Sequence, residues 1–320
     1  MKLLFIFTGG TIGSTQSGDT ISVDAEKPYL LCEKYAEQHP VDFTYDTLEP
    51  FSELSENFSG AHISALLDAV TKHAQGYDGI VVTHGTDTLG YSAAALGYAL
   101  GNASLPVCLV SANFPIENEH SNGIANLYGA ISLIKSGDAR GVFVPYQNNE
   151  GECVYIHRAT RLSTTLSLVD DVFSVLECPY GYVNAAGVFT KNPDFTEKED
   201  ALPPPPSLTL SEKSEGLLRV FPYPGMPYPE IPNGTRAILL DTYHSGTVDG
   251  KSAAAHAFLG AAKEKGIPVY VTGNAAYDST HIFDEHGVTR LSLSPVAAYI
   301  KLWLYGSGCD LSLSRGGDIF

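Results

Sequence analysis

The chain has 320 residues, 44% of them hydrophobic and 17% charged, with a formal net charge of −17 and a pI near 4.8. Enough apolar material is present for a folded enzyme, which excludes a largely disordered chain. So acidic a surface repels phosphate backbones, so nucleic acid is not an expected partner, and the length predicts two domains.

Five cysteines (Cys32, Cys108, Cys153, Cys178 and Cys309) are scattered, with no CxxC spacing. They read as free thiols in a reducing compartment, so a cytoplasmic protein is expected. The opening run Leu3-Leu4-Phe5-Ile6-Phe7 is too short to cross a bilayer and no small-residue cleavage site follows it. It reads as a first strand rather than a signal peptide, and no later run is long enough to span, so no membrane partner is expected.

In chain order, Lys2 to Phe7 is strand-like and leads into Thr8-Gly9-Gly10-Thr11-Ile12-Gly13. Residues 14–24 are rich in Ser, Thr, Gly and Asp and read as a mobile loop, with residues 14–27 expected to close as a lid over a ligand. A helix is expected over 28–38, an alternating strand over 43–48 and a polar turn over 54–59. Ile63, Leu66, Leu67 and Val70 share one face of a helix closed by Gly76. Ile80-Val81-Val82-Thr83 is a buried strand that stops at His84-Gly85, and Thr86-Asp87-Thr88 precedes the next helical pattern. Strands at 106–111 and 141–145 alternate with a helix that ends at Gly137. This strand–helix alternation implies an α/β fold with a parallel sheet covered on both faces.

Residues 151–190 read as extended pieces and turns. The run Pro203-Pro204-Pro205-Pro206 marks residues 191–215 as a stiff linker. A shorter α/β block follows, with strands at 217–221, 237–241 and 268–272 and helices at 252–265 and 295–305. The organisation expected is therefore a larger N-terminal α/β domain (1–190), a linker (191–215) and a smaller C-terminal α/β domain (216–320).

The strand–turn–helix junction at 80–89 is where open α/β sheets place ligands. Thr86 and Asp87 set a hydroxyl beside a carboxylate there, which can move a proton or simply cap a helix. Thr11 sits in a Gly-rich turn where the backbone can approach a ligand closely. A phosphate loop is the rival reading of that turn, but Gly9, Gly10 and Gly13 fit neither GxGxxG nor GxxxxGK[ST]. His84 reads as a structural histidine. The ten histidines show no HExxH or paired Cys/His spacing, and Asp284-Glu285-His286 reads as a solvated turn, so no metal is expected.

TGGTIG at 8–13 and GIVVTHGTDTL at 79–89 resemble, in order and separation, the two signature motifs of the bacterial-type L-asparaginases. The segments HGTDTLGYSAAALGYAL and PVCLVSANFPIENEHSNGIANLYGAI, and the end LSRGGDIF, resemble the cytoplasmic type I members. The likeness spans essentially the whole chain and is weakest over 150–215. It implies hydrolysis of asparagine to aspartate and ammonia without a cofactor, in a homodimer or homotetramer whose active sites lie between subunits, an assembly to which the apolar C-terminal helix bearing Trp303 is expected to contribute. It also implies roles. Thr11 would be the nucleophile that forms an acyl-enzyme, Thr86 the second catalytic threonine, and Asp87 the partner of the substrate ammonium. Gly10 would lie against the substrate and Ser55, in LSENF, would bind its α-carboxylate.

Three departures stand out. Anchored on Arg161 and Phe173, the family's relay lysine falls on Thr164, and no lysine lies between Arg140 and Thr190. The family's loop tyrosine falls near Thr20, whereas Tyr29 is the nearest tyrosine. Asn122 stands where the family carries an acidic residue. His157, Arg158 and Arg161 are near in sequence, but arginine does not release its proton near neutral pH. Three functional readings follow, in this order. The first is an asparaginase with an altered proton path, the second a hydrolase of another asparagine- or glutamine-type amide, and the third a non-catalytic amino-acid binder.

Overall fold

The computed structural model describes residues 1–10, 30–102, 105–149, 151–272 and 281–320, and the backbone of two strands between 14 and 23. β1 (Lys2–Phe7) opens the chain. A hairpin of β2 (Ser14–Ser17) and β3 (Thr20–Val23) is followed by α1 (Leu30–Gln38), β4 (Thr44–Leu48), α2 (Gly60–His73) and β5 (Gly79–Thr83). Then come α3 (Leu89–Leu100), β6 (Pro106–Val110), α4 (Gly123–Ser136), β7 (Gly141–Tyr146), β8 (Val154–Arg158), β9 (Gly181–Val183) and β10 (Phe189–Lys191). The C-terminal block holds β11 (Leu217–Val220), β12 (Ala237–Leu240), α5 (Ala253–Glu264), β13 (Val269–Thr272), α6 (Ile282–His286), β14 (Thr289–Leu291) and α7 (Pro295–Tyr305).

The large sheet has the order β10-β9-β8-β7-β6-β5-β1-β4. The strands from β4 to β7 are parallel to their neighbours, and β8, β9 and β10 extend the sheet antiparallel. Alternation along β1 divides the core between the two faces. Leu4 and Ile6 meet α2, α3 and α7, while Leu3, Phe5 and Phe7 meet α1 and α4. The fold class expected from the strand–helix alternation is the one observed. The second sheet, β11-β12-β13-β14, is wholly parallel, with α5 and α6 on one face and α7 on the other.

Four expectations are corrected. Residues 14–17 and 20–23, for which no strand is expected, pair as antiparallel strands. Thr15, Ile21 and Val23 favour strands, and Gly18-Asp19 between them is a two-residue hairpin sequence. The lid expected over 14–27 otherwise falls outside the described residues. Asp284, Glu285 and His286 belong to α6, not to a solvated turn. β14 has no counterpart among the expected strands, because three residues carry too little periodicity to register. Finally, α7 is no free apolar face for a second copy of the chain. Ile300 and Leu304 are buried in the core shared with α3, and Trp303 packs against it.

The C-terminal tail braces the two blocks. Gly316 and Gly317 both have left-handed backbones (φ 61° and 70°), which aims their carbonyls at the segment after β8. Gly316 O accepts from Arg158 Nε (3.1 Å) and Thr160 Oγ1 (2.8 Å), and Gly317 O accepts from Arg161 Nε (2.6 Å). Arg161 also donates to Ile319 O. Behind the tail, Lys301 and Asp318 form a fully buried ion pair at 2.7 Å. The other two ammonium donors of Lys301 go to Leu311 O and Leu313 O, and Asp318 accepts from Tyr98 Oη and Arg315 N. Asp318→Leu strands the buried ammonium and is expected to cost about 3–5 kcal/mol in urea unfolding. Adding Lys301→Met should recover part of that loss.

Candidate active site

The site begins with two neighbouring parallel strands that end together. β1 and β5 pair up to Phe7 and Thr83, and Thr8 Oγ1 donates to Thr83 O at 2.7 Å. The Gly-rich turn then folds against two others. Gly9 bridges Glu53, with Gly10 N donating to Glu53 O (3.1 Å) and Glu53 N to Thr8 O (3.1 Å). Gly9 and Gly10 have φ of 92° and 80°, and a Cβ on Gly10 would lie 2.3 Å from Gly85 N. A Cβ on Gly85 would in turn lie 2.4 Å from Ser55 Oγ. Bare glycines therefore let three loops, from the 8–13 motif, the 79–89 motif and the serine turn, meet at backbone contact distance.

The polar groups follow from that packing. Ser55 opens a short 3-10 turn (Ser55–Asn57) and is buried, and its hydroxyl donates to Asp87 Oδ2 at 3.3 Å. Thr88 Oγ1 donates to Ser55 O at 2.9 Å. Thr86 is half-buried and Asp87 exposed, just before α3. The helix is entered from Thr88, which makes no side-chain cap there. The structure thus brings together Gly10, Ser55, Thr86 and Asp87. Thr11 and Tyr29 lie outside the described residues.

His84 is buried and neutral. Its Nδ1 donates to Gly85 O (2.7 Å), so its Nε2 accepts from Ser92 Oγ (2.8 Å), and burial lowers its pKa to about 4. That is the structural histidine expected from sequence, and it fixes the turn before Thr86.

A cleft of about 400 Å³ opens beside Thr86 and Asp87, with Asn113, Tyr146, Thr165 and the run 166–172 as its other walls. Asn113, Tyr146, Asp170 and Asp171 have no motif to mark them. The available signal is position alone, since Tyr146 ends β7 and Asn113 follows β6 on the same edge of the sheet. The Tyr146 hydroxyl donates to Asp170 O (2.7 Å), and burial pushes its pKa up to about 12. Asn122 sits behind this wall. Its Oδ1 accepts from Asn113 N (3.0 Å) and its Nδ2 donates to Gln147 O (2.8 Å). An amide serves both partners, whereas a carboxylate could only accept.

At the lysine position Thr164 is exposed, and its neighbour Thr165 lines the cleft. None of the three nearby basic residues replaces the lysine in this cleft. Arg158 and Arg161 are committed to the C-terminal tail. His157 lines a different cavity of about 620 Å³, beyond Asp171 and Val172. Its Nδ1 contacts Ser174 Oγ (2.8 Å), its Nε2 has no partner among the described residues, and burial lowers its pKa to about 3.

A parallel sheet whose strand ends gather two Gly-rich loops, a buried serine and a hydroxyl–carboxylate pair is the arrangement of a small-molecule site. The asparaginase family model ("Asparaginase, N-terminal") matches residues 2–194, and the chain belongs to that family. The L-asparaginase of Thermococcus kodakarensis is 29% identical over 286 residues, 87% of this chain and 81% of the relative. A glutamyl-tRNA(Gln) amidotransferase component of Pyrococcus horikoshii is 27% identical over 332 residues, 97% of this chain and 73% of the relative. Among solved structures, the thermostable L-asparaginase of T. kodakarensis gives a TM-score of 0.75 at 23% identity, covering 95% of this chain and 92% of that one. L-asparaginase I of Vibrio cholerae gives 0.74 at 20% identity, covering 100% and 99%. These two likenesses establish the two-domain asparaginase fold.

Gly10→Ala should destabilise far more than Gly225→Ala, which shares the left-handed backbone (φ 77°) but has nothing within 4 Å of its Cβ. The Gly225 variant is expected to lose about 1 kcal/mol, and the Gly10 variant a further ~1–3 kcal/mol or more from the clash, read as urea midpoints.

The two buried histidines also set a pH dependence. Both have folded pKa values, about 4 and about 3, below the ordinary 6.5, so the unfolded chain binds more protons between those limits. Their contribution is complete above about pH 6.5 and is lost on acidification towards about pH 4 and below. Urea midpoints should fall from about pH 7 to about pH 5, and His157→Gln should flatten that fall.

Proposed function

We propose that the chain is an asparaginase-type amidohydrolase that converts L-asparagine to L-aspartate and ammonia, as a cofactor-free cytoplasmic enzyme. The single observation that carries the reading is the close approach of Gly10 to Gly85, with Ser55 and Asp87 hydrogen-bonded beside it. Thr11 follows Gly10 in the chain and is the nucleophile of this reading. Its hydroxyl oxygen attacks the carboxamide carbon, the hydroxyl proton passes to the departing nitrogen as ammonia, and water then hydrolyses the acyl–threonine ester. Asp87 holds the substrate ammonium, Ser55 the α-carboxylate, and Thr86 relays the proton.

A second reading, an asparagine- or glutamine-type amide with a larger leaving group, draws on two observations. One relative is a component of an amidotransferase. In addition, the titratable groups that line the cleft among the described residues are Asp87, Tyr146, Asp170 and Asp171, with no lysine. General-base assistance by a lysine is thus missing, which is typically worth ~10²–10⁴ in rate. The third reading, a non-catalytic binder, predicts tight aspartate binding with no ammonia release. A homodimer or homotetramer belongs to the first reading. Leu166, Leu168 and Val169, exposed on the rim of the cleft, support a second copy covering that rim.

Ammonia release over a panel of amides, beside calorimetric titration with aspartate, separates these readings. Thr11→Ala should lower turnover by orders of magnitude without loss of fold. Undiminished release would move the nucleophile elsewhere. Thr164→Lys, at the position where the family lysine falls, should raise asparagine turnover, with Thr165→Lys, at the neighbour that lines the cleft, as the companion variant.

A further inference from the structure

Away from the cleft, the layer over the C-terminal sheet gathers three metal-ligand side chains from two helices. His256 lies on α5, and Glu285 and His286 end α6. His256 Nδ1 and His286 Nε2 are 3.2 Å apart. Two nitrogens bound to one tetrahedral Zn²⁺ at about 2.0–2.1 Å stand about 3.3–3.4 Å from each other, so the imidazoles are already at ligand spacing. The Glu285 carboxylate oxygens lie 3.8 Å from His256 Nδ1 and 3.9 Å from His286 Nε2. That side chain is exposed, so a rotamer change is enough to bring one oxygen in.

The surroundings orient the donors. His256 Nε2 lies 3.3 Å from Gly250 O, a group that can only accept, so the ring proton belongs on Nε2 and the Nδ1 lone pair faces His286. A ligand histidine held through its other nitrogen by a backbone carbonyl is the usual support of a metal site. In the metal-free chain, His286 Nε2 must then be the donor in the contact between the rings, and an ion would take the place of that proton. Lys263 Nζ donates to Glu285 O (2.7 Å) and ties the end of α6 to α5. Asp284 turns away to pair with Arg290 at 3.2 Å, which leaves Glu285 as the carboxylate of the group.

We propose that His256, His286 and Glu285 bind one divalent ion of the Zn²⁺ class, with water in the fourth position. None of the three lines the cleft beside Thr86, so the ion clamps α6 to α5 and acts on the stability of the C-terminal block. The short spacings of metal motifs gave no sign of this site because its ligands stand 29 and 30 residues apart and meet only through packing.

The test is equilibrium dialysis and calorimetry of the full chain with Zn²⁺ alone, repeated on His256→Gln and His286→Gln. One equivalent should bind, each substitution should weaken it at least ~10–100-fold, and Zn²⁺ but not Mg²⁺ should raise the melting midpoint. Should a variant fail to fold, Co²⁺ on the wild type decides, since a nitrogen–oxygen site gives ligand-field bands without thiolate charge transfer. The absence of saturable binding below the millimolar range would overturn the proposal, as would unchanged binding in both variants or a thiolate spectrum from the free cysteines.

Discussion

The close contact between Gly10 and Gly85 is the constraint on which the candidate site rests. Two neighbouring parallel strands end side by side, and whatever follows them competes for the same space. A side chain at either position would push the turns apart, since the missing Cβ atoms fall 2.3 Å and 2.4 Å from backbone and from Ser55. With glycine at both, the serine turn can close onto them and its hydroxyl can reach Asp87. Thr86 needs no strand of its own to be placed. It is carried by the turn that buried His84 pins to Gly85 O and to Ser92 on α3.

A second constraint holds the wall opposite Thr86. The run 162–172 contains much exposed apolar surface and a left-handed Leu168, so it does not hold itself. Its far end is held by Tyr146 on Asp170 O and by Asn148 and Asn149 on Val172 and Asp171, and its near end follows Arg158, Thr160 and Arg161, which the Gly316-Gly317 carbonyls clasp, with the buried Lys301–Asp318 pair behind them. The last residues of the chain are thereby connected to the near end of the run that lines the cleft.

What was legible in the sequence was what local patterns encode. The β-branched runs at 80–83 and 106–110 and the one-sided apolar stripes at 63–70 and 89–100 became the sheet and its covering helices, and Gly137 closed its helix in the left-handed conformation. The glycines and polar residues at 84–88 marked the strand end. What was hidden depended on distant contacts. β8 to β10 reverse direction for tertiary reasons, and α6 and β14, five and three residues long, are too short for a repeat to register. The apolar stripe of α7 resembles a surface for a second copy because nothing local says that α3 will cover it. Likewise, counting from Arg161 lands on Thr164, whose neighbour Thr165 lines the cleft, and no local pattern marks that wall.

The same geometry narrows the chemistry. A threonine hydroxyl becomes a competent nucleophile only when a neighbour takes its proton. The Tyr146 phenol is held with a raised pKa and its proton on Asp170 O, so it is a poor base near neutral pH. His157 is turned towards Ser174 in another cavity. Arg158 and Arg161 keep their protons and are occupied in the tail. Carboxylates therefore remain as the proton-accepting groups on the described walls of the cleft. A carboxylate accepts a proton less readily near neutral pH than a lysine whose pKa burial has lowered. A wall of this kind bears on the second proposed reading, in which the leaving amine is a better base than ammonia or brings a cationic centre that carboxylates can hold.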